Sequence, residues 1–357
     1  MPDPTTKATP KSKPQSKTTI IGISGPSSSG KTTLARLLQT IFSHLNPSLL
    51  RTFIVHEDDF YHSDDKIPLT TLPTDPPTTI QNWDTLLALD IPFLSASLSY
   101  IRAHGHLPPR LRSKEDLNEV GDSGVSDEII GQEEQEQEQE QGQGDEEEEK
   151  EKPQHTIVFL EGFLLFAPPR EEDQNHTHGL RTVHDQMDAR LFLPARYENV
   201  KARRESRSGY VTIGAAPSVD SGDKDKQQEQ EQEKEERKGT EEVDLDLDLE
   251  AEDDRPPQNF WTDPPGYVDD IVWPNYVQDH AWLLLPEEEG VSQTVFGSAD
   301  TQELVRLVGQ GVKLRTDAGV TVAPGQGGTP MADILKWAVE EVLKHIEGIE
   351  WQRGYRN

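Results

Sequence analysis

The sequence predicts an α/β protein, a three-layer sandwich in which helices cover both faces of a central parallel sheet and a lid segment closes over one end. Three observations predict it. Thr18-Thr19-Ile20-Ile21-Gly22-Ile23-Ser24 is β-branched and apolar without polar alternation, as in a strand buried on both faces. Gly25-Pro26-Ser27-Ser28-Ser29-Gly30-Lys31-Thr32 follows at once and matches G-x-x-x-x-G-K-[ST]. Leu34, Leu37, Leu38, Ile41 and Phe42 then fall at i, i+3, i+4, i+7 and i+8, one face of an amphipathic helix. In a strand, glycine-rich loop and helix start, successive backbone N–H groups can wrap a phosphate, and the helix dipole adds its positive end. The stretch therefore reads as the P-loop of a nucleoside triphosphate-binding protein. Lys31 would reach the β- and γ-phosphates, and the Thr32 hydroxyl would sit on Mg²⁺.

The later elements alternate in the same way. Thr52-Phe53-Ile54-Val55 reads as a second strand, ending in His56-Glu57-Asp58-Asp59-Phe60-Tyr61. A loop with several prolines, 68–77, leads to Asn82-Trp83-Asp84. Asp90 followed by Pro92 marks a helix start, with Phe93, Leu94, Leu98 and Ile101 as its buried stripe. Thr156-Ile157-Val158-Phe159-Leu160-Glu161-Gly162-Phe163 is a buried strand ending in an acid, and Asp188-Ala189-Arg190-Leu191-Phe192-Leu193 is another. Pro194 and Ala195 open a helix with Tyr197, Val200 and Lys201, whose last turn carries Arg203, Arg204 and Arg207. A helix is expected from Pro274, one more strand near 319–323, and a closing helix over 330–346 on Ile334, Leu335, Ala338 and Val342. The stretch 286–328 yields little else. Its Gly309-Gln310-Gly311 lacks the strand-to-helix context of a dinucleotide fold.

Charge is distributed unevenly. The formal net charge is −31, yet 127–152 carries 13 acidic and 2 basic residues and 220–254 carries 17 and 5. Those two segments account for most of the acidity, so the remainder resembles an ordinary domain. Like-charged, Glu/Gln-repeating segments without apolar periodicity stay solvated. The expected layout is a disordered tail over 1–18 and one kinase-type domain over 19–357, interrupted by disordered acidic inserts at about 113–154 and 215–258. Such acidity argues against nucleic acid as a partner. Cysteine is absent, which excludes disulfides and thiolate metal sites. The first 17 residues lack the apolar core of a signal peptide, and the apolar run 157–167 is broken by Glu161 and too short to span a bilayer. The expectation is a soluble protein without a membrane partner, cytoplasmic or also nuclear, whose acidic inserts have partners that the sequence does not name.

A P-loop alone leaves hydrolysis, kinase and motor chemistry open. A small-molecule kinase also needs an acid near the acceptor hydroxyl, support for the metal, and cations over the γ-phosphate. Asp58 or Asp59, at a strand's carboxyl end, can take the hydroxyl proton. Glu161 ends the central strand where a Walker B-type acid would hold a metal-bound water, and an unpaired carboxylate there would be costly. Arg203, Arg204 and Arg207 lead into a glycine-bearing loop, as a lid would. Trp83 taken alone would more often be core than ligand, and His56 reads as structural.

These residues together resemble the nicotinamide riboside kinases, relatives of the uridine kinases. The likeness is carried by Gly22-Ile23-Ser24-Gly25 through Lys31-Thr32-Thr33-Leu34-Ala35, by Asp58-Asp59-Phe60-Tyr61 and by Trp83-Asp84. It continues in Leu160-Glu161-Gly162-Phe163-Leu164-Leu165-Phe166, Arg203-Arg204, Asp263-Pro264-Pro265-Gly266-Tyr267 and Val272-Trp273-Pro274-Asn275-Tyr276. The resemblance implies transfer of the ATP γ-phosphoryl group to the 5′-hydroxyl of nicotinamide riboside, and also of nicotinic acid riboside, giving the mononucleotide for NAD biosynthesis. It makes Asp58 the general base, with Lys31 and Glu161 beside it as catalytic groups. Mg²⁺ falls to Thr32, Asp58 and Glu161. ATP falls to Gly25, Pro26, Ser27, Ser28, Ser29, Gly30, Lys31, Thr32, Thr33, Arg203 and Arg207. Asp84 and Arg204 would hold the ribose hydroxyls, and Trp83 and Tyr210 would enclose the cationic pyridine ring. Asp59, Phe60, Tyr61 and Gly209 complete the implied substrate set. A uridine/cytidine kinase is the alternative of the same class, and a non-catalytic ATP-binding scaffold the alternative of another.

Because a solvated polyanion buries no surface, deleting 127–152 is expected to leave the melting temperature and turnover nearly unchanged. A large drop on thermal melting would show instead that the segment packs on the domain.

Overall fold

The computed structural model describes residues 17–45, 50–111, 113, 125, 155–173, 178–213 and 258–347. The expected tail and inserts lie outside the described residues apart from their margins and Val125, which is buried against the core. Two margins are corrected. Lys17 and Thr18, assigned to the tail, begin a strand, and Gln258, assigned to an insert, begins another.

In chain order the elements are β1 (Lys17–Ser24), α1 (Lys31–Leu45), β2 (Leu50–His56), β3 (Leu69–Leu72), β4 (Thr78–Gln81), α2 (Ile91–His104) and β5 (His155–Gly162). There follow α3 (Arg181–His184), β6 (Ala189–Phe192), α4 (Tyr197–Glu205), β7 (Tyr210–Ile213), β8 (Gln258–Trp261) and a π-helical turn, Val268–Val272. That turn runs directly into α5 (Trp273–Asp279), and the remaining described elements are α6 (Gln293–Ser298), α7 (Thr301–Val308), β9 (Thr321–Val322) and α8 (Met331–Glu347). The main sheet is parallel with order β2-β5-β1-β6-β9. This is the α/β architecture of a P-loop kinase fold.

Side-chain alternation divides the core into two layers. On β1, Ile20 joins one cluster while Ile21 and Ile23 join the other; on β5, Val158 and Leu160 oppose Ile157 and Phe159 in the same way. The second layer is closed by α1 through Leu34, Leu38 and Ile41 and by α8 through Leu335, Ala338 and Val342. The first is closed by α2 and by the helical stretch from Val268 to Val277. Strands covered on both faces have no use for polar alternation, which is why β1 and β5 read as continuous apolar runs.

α2 begins where the Asp90–Pro92 signal puts it. The Asp90 carboxylate accepts from the Phe93 N–H at 2.9 Å, and Gly105 ends the helix at φ 71°, a left-handed conformation open to glycine. Three features escape sequence patterning. The proline-rich loop folds into the β3–β4 ribbon, whose four-residue Thr-rich strands are too short for a period. The helix expected from Pro274 starts earlier, in the π turn, with the proline in the first turn of α5, where a missing N–H costs little. The poorly read stretch contains α6 and α7. The capping pattern Asp300-x-x-Glu303 signals α7, and the Asp300 carboxylate does accept from the Glu303 N–H at 2.8 Å. Among the described residues no helix is long and apolar enough to cross a membrane.

The sheet order positions the site. The chain leaves β1 for β2 at the edge, and β5 later enters between them. Register then sets Glu161 beside Ile23 on one side and His56 on the other. The P-loop, the 57–61 segment and the 161–163 segment therefore open at the same carboxyl end of the sheet.

Candidate active site

A cleft lies over that end, lined by Ser27, Ser28, Lys31, Thr32, Asp58 and Glu161. Its lining also includes the aromatic Tyr61, Trp83, Phe163, Tyr210 and Trp261 and the charged Asp84, Arg204 and Arg207.

The P-loop takes a glycine-dependent path. At Gly25 (φ 155°) a Cβ would stand 2.3 Å from the Leu193 carbonyl oxygen, so no larger residue fits. The hydroxyls of Ser28 and Ser29 are buried without a hydrogen-bond partner among the described residues, polar groups that a bound anion would satisfy. Lys31 Nζ donates to the Pro26 carbonyl at 3.1 Å, folded across its own loop. Burial pushes the Lys31 pKa down, while Glu161 and Asp58 pull it the other way. Gly25, Pro26, Ser29 and Gly30 form the turn itself, and Thr33 follows in α1.

Glu161 is tied by two side chains. Its Oε1 is 2.7 Å from His56 Nδ1 and accepts from Thr32 Oγ1 at 3.1 Å. Burial works to raise its pKa, but the hydrogen bond and charge of His56, together with Lys31 and Thr32, hold it below the ordinary carboxylate value. Asp58, which faces the cleft, is pushed up to about 6 by burial and by Glu161. Glu57 behind it is fully buried. It accepts from the Leu164 N–H at 3.0 Å and is pushed by burial up to about 8, so it is mostly neutral at pH 7. Gly162 must be glycine beside it, since a Cβ would meet the Glu57 side chain at 2.3 Å.

Arg204 joins three regions. Its guanidinium takes both oxygens of Asp84 at 2.7 and 2.8 Å, reaches Asp263 Oδ2 at 2.7 Å and donates to Ser27 Oγ of the P-loop at 2.9 Å. Burial alone would favour neutral Asp84; the two-pronged contact opposes it, and the two carboxylates keep Arg204 firmly protonated. Arg203 donates to the Ser28 carbonyl at 3.2 Å. Arg207 lies beyond the end of α4 rather than in its last turn, and its Nη1 donates to the Tyr210 hydroxyl at 3.1 Å.

Trp83 is only 5% exposed and packs on Ile67 and Ala88, yet it also walls the cleft, edge-on to Tyr61 and 5.9 Å from the Trp261 ring. Its indole N–H is buried without an acceptor among the described residues. Its backbone N–H donates to the Tyr267 hydroxyl at 2.9 Å, and Asn275 Nδ2 donates to the Asp84 carbonyl at 2.7 Å. The Pro-Gly-Tyr and Trp-Pro-Asn motifs thus brace the turn that presents Trp83 and Asp84. Tyr210 stands across a ribbon from Trp261, with Arg204 and Arg207 each 5.3 Å from its ring centroid.

Three residues expected on the substrate lie elsewhere. Phe60 is in the core against Phe93, Asp59 is buried off the cleft, and Gly209 packs under the Phe260 ring at φ 142°. The short helical turn Glu57–Phe60 explains the first two, because it turns Asp58 outward and its neighbours inward. Trp261, Phe163 and Asp263 line or brace the site without having been assigned a role. Only the pairing of β7 with β8 brings Trp261 and Asp263 there. His56, read as structural, touches Glu161; its place beside an acid at a strand end was the available signal.

The fold and this constellation define a P-loop kinase-type protein. No protein-family model matches the chain. It is 29% identical over 331 residues to a nicotinamide riboside kinase of Schizosaccharomyces pombe, covering 93% of this chain and 99% of that one. It is 25% identical to the protein of that name from Saccharomyces cerevisiae, over 92% and 97% of the two chains, and 28% identical to that of Eremothecium gossypii, over 75% and 78%. These likenesses over most of the chain support the nicotinamide riboside kinase family.

Glu57 generates a prediction about stability. Its folded pKa is raised, so its burial is fully tolerated below the unfolded value and costs progressively more as pH rises from about 4.5 towards 8. Glu57→Gln keeps an acceptor for Leu164 and removes that cost. The expected gain is on the order of 1–3 kcal/mol in urea unfolding at pH 7, vanishing near pH 4.5.

Proposed function

We propose that the chain transfers the γ-phosphoryl group of ATP to the 5′-hydroxyl of nicotinamide riboside, forming the mononucleotide used in NAD biosynthesis. One observation carries this reading: P-loop residues, a set of aromatic rings and Asp58 line one and the same cleft. The names of the three similar proteins agree with it. Nicotinic acid riboside is a second substrate, because a stacking wall binds the ring rather than its substituent.

Ser27, Ser28 and the loop amides hold the triphosphate, with Lys31 on its β- and γ-groups and Arg203 and Arg207 covering it. Trp83, Tyr210 and Trp261 hold the pyridinium, whose positive charge the ring faces attract. Asp84 and Arg204 stand where the ribose hydroxyls would lie. Asp58 takes the 5′-hydroxyl proton as the oxygen attacks the γ-phosphorus and the bond to the β-phosphate oxygen breaks. Thr32, Asp58 and Glu161 are all oxygen donors, and they fit a hard cation such as Mg²⁺ that completes its shell from phosphate. Among the described residues no group of three or more His, Asp or Glu side chains could hold a metal without that help. Mg²⁺ would neutralise charge developing on the phosphates; the chain's part is to aim Thr32 and an ionised Glu161 at it.

A coupled ADP-release assay with nicotinamide riboside, nicotinic acid riboside, uridine and cytidine side by side tests the assignment. Turnover of the pyrimidine nucleosides alone overturns it. Asp58→Asn is expected to lower kcat by about a hundredfold or more while calorimetric ATP binding stays near wild type. A dead Asp59→Asn beside an active Asp58→Asn would identify the other aspartate as the base. Trp83→Leu is expected to lower kcat/KM for the cationic riboside by roughly five- to thirtyfold, about 1–2 kcal/mol, with ATP affinity unmoved. A neutral ring analogue should lose clearly less; equal losses would mean that Trp83 acts by shape alone.

A further inference from the structure

Asp64 lies outside the cleft, in the turn after the 57–61 segment, and is 3% exposed. Its Oδ2 accepts from Thr212 Oγ1 on β7 at 3.1 Å and from Asn259 Nδ2 on β8 at 2.8 Å. One carboxylate oxygen therefore grips both strands of the lid ribbon. The residue is itself anchored to the body, because its carbonyl accepts from Gln81 Nε2 at 2.6 Å, and Gln81 is buried in β4.

The ribbon's register shows what this grip does. Tyr210 pairs with Trp261, and Thr212 pairs with Asn259. Side chains two apart on a strand share a face, and directly opposed pairs share it too. Tyr210, Trp261, Thr212 and Asn259 are thus on one face, with the aromatic pair at the cleft and the polar pair on Asp64. The other face carries Phe260, which is 56% exposed. The ribbon is also tied at its cleft end, where Arg204 and Arg207 lie over Tyr210, the Trp261 ring packs beside Trp83 and Tyr267, and the Trp261 N–H donates to Asp263.

We infer that Asp64 is a positioning residue for the riboside, a latch that holds the β7–β8 ribbon down so that Tyr210 and Trp261 complete the aromatic wall of the cleft. This rests on the proposed kinase reading for its effect on KM, but not for its effect on the ribbon. Neither Thr212 nor Asn259 lines the cleft; the ribbon reaches the triphosphate side through Tyr210, whose hydroxyl accepts from Arg207.

The test uses the full chain and two readouts. In hydrogen–deuterium exchange without ligands, Asp64→Ala should speed exchange of the β7 and β8 amides by about tenfold while α1 and β5 amides keep their protection. In kinetics it should raise KM for nicotinamide riboside by about fivefold or more, with KM for ATP within about twofold. Asp64→Asn retains one acceptor oxygen and should restore most of both. Should Asp64→Ala fail to fold, the pair Thr212→Val and Asn259→Ala opens the same latch from the ribbon side and should give the same two changes. Unchanged ribbon exchange, or a loss of protection spread equally over α1 and β5, would overturn the latch whatever the substrate proves to be. Faster ribbon exchange with turnover of some other nucleoside would keep the latch and remove the substrate assignment instead.

Discussion

A buried guanidinium holds the working parts of this molecule together. Arg204 comes from α4, Asp84 from the turn before α2, Asp263 from the segment after β8, and Ser27 from the P-loop. Burying so much charge contributes little net stability, because desolvation offsets most of the attraction. What it supplies is geometry. Separating Arg204 from either carboxylate would leave buried charge uncompensated, and losing Ser27 would leave a guanidinium N–H without that acceptor, so the P-loop, the aromatic wall and the ribbon base are held in one arrangement.

A second constraint is electrostatic. Four acids and a lysine crowd the carboxyl end of the sheet, and they cannot all be charged. Glu161 is held ionised by His56, Lys31 and Thr32, whereas Glu57, with one N–H to accept from, is pushed towards the neutral form. Asp58 lies between these extremes, at about 6. A group ionised near neutrality suits the proton acceptance proposed for Asp58 better than a permanently charged or permanently neutral one would. The difference among the three acids comes from solvent access and partner count, not from residue type.

The segment from Asp263 to Tyr276 works as a brace. Tyr267 and Asn275 hold backbone groups of Trp83 and Asp84, and Asp263 holds Arg204. Residues nearly two hundred positions from Trp83 therefore set where that ring stands. This gives a physical reason why a proline- and aromatic-rich run belongs with a P-loop in one sequence pattern.

Sequence periodicity was enough for the parts of the fold that obey a local rule. β1, the P-loop and α1 follow from apolar continuity, glycine spacing and a 3.6-residue stripe, and Leu34, Leu38 and Ile41 are buried as that stripe requires. α2 followed from its cap, and β5 and α8 from their apolar patterns. The acids at strand ends were legible because a parallel sheet exposes function at its carboxyl edge. What local rules could not supply were encounters between distant residues. Trp261 reaches the cleft only because β8 pairs with β7, and His56 meets Glu161 only because β5 inserts beside β2. Asp58, rather than Asp59, faces the cleft because a single helical turn rotates one outward and the other inward. The sequence alone determined where the P-loop lies and which strands end in acids at the carboxyl edge of the sheet. The tertiary structure decided which side chains share a space, because that depends on sheet order and rotation about the chain, and neither leaves a periodic trace in the residues themselves.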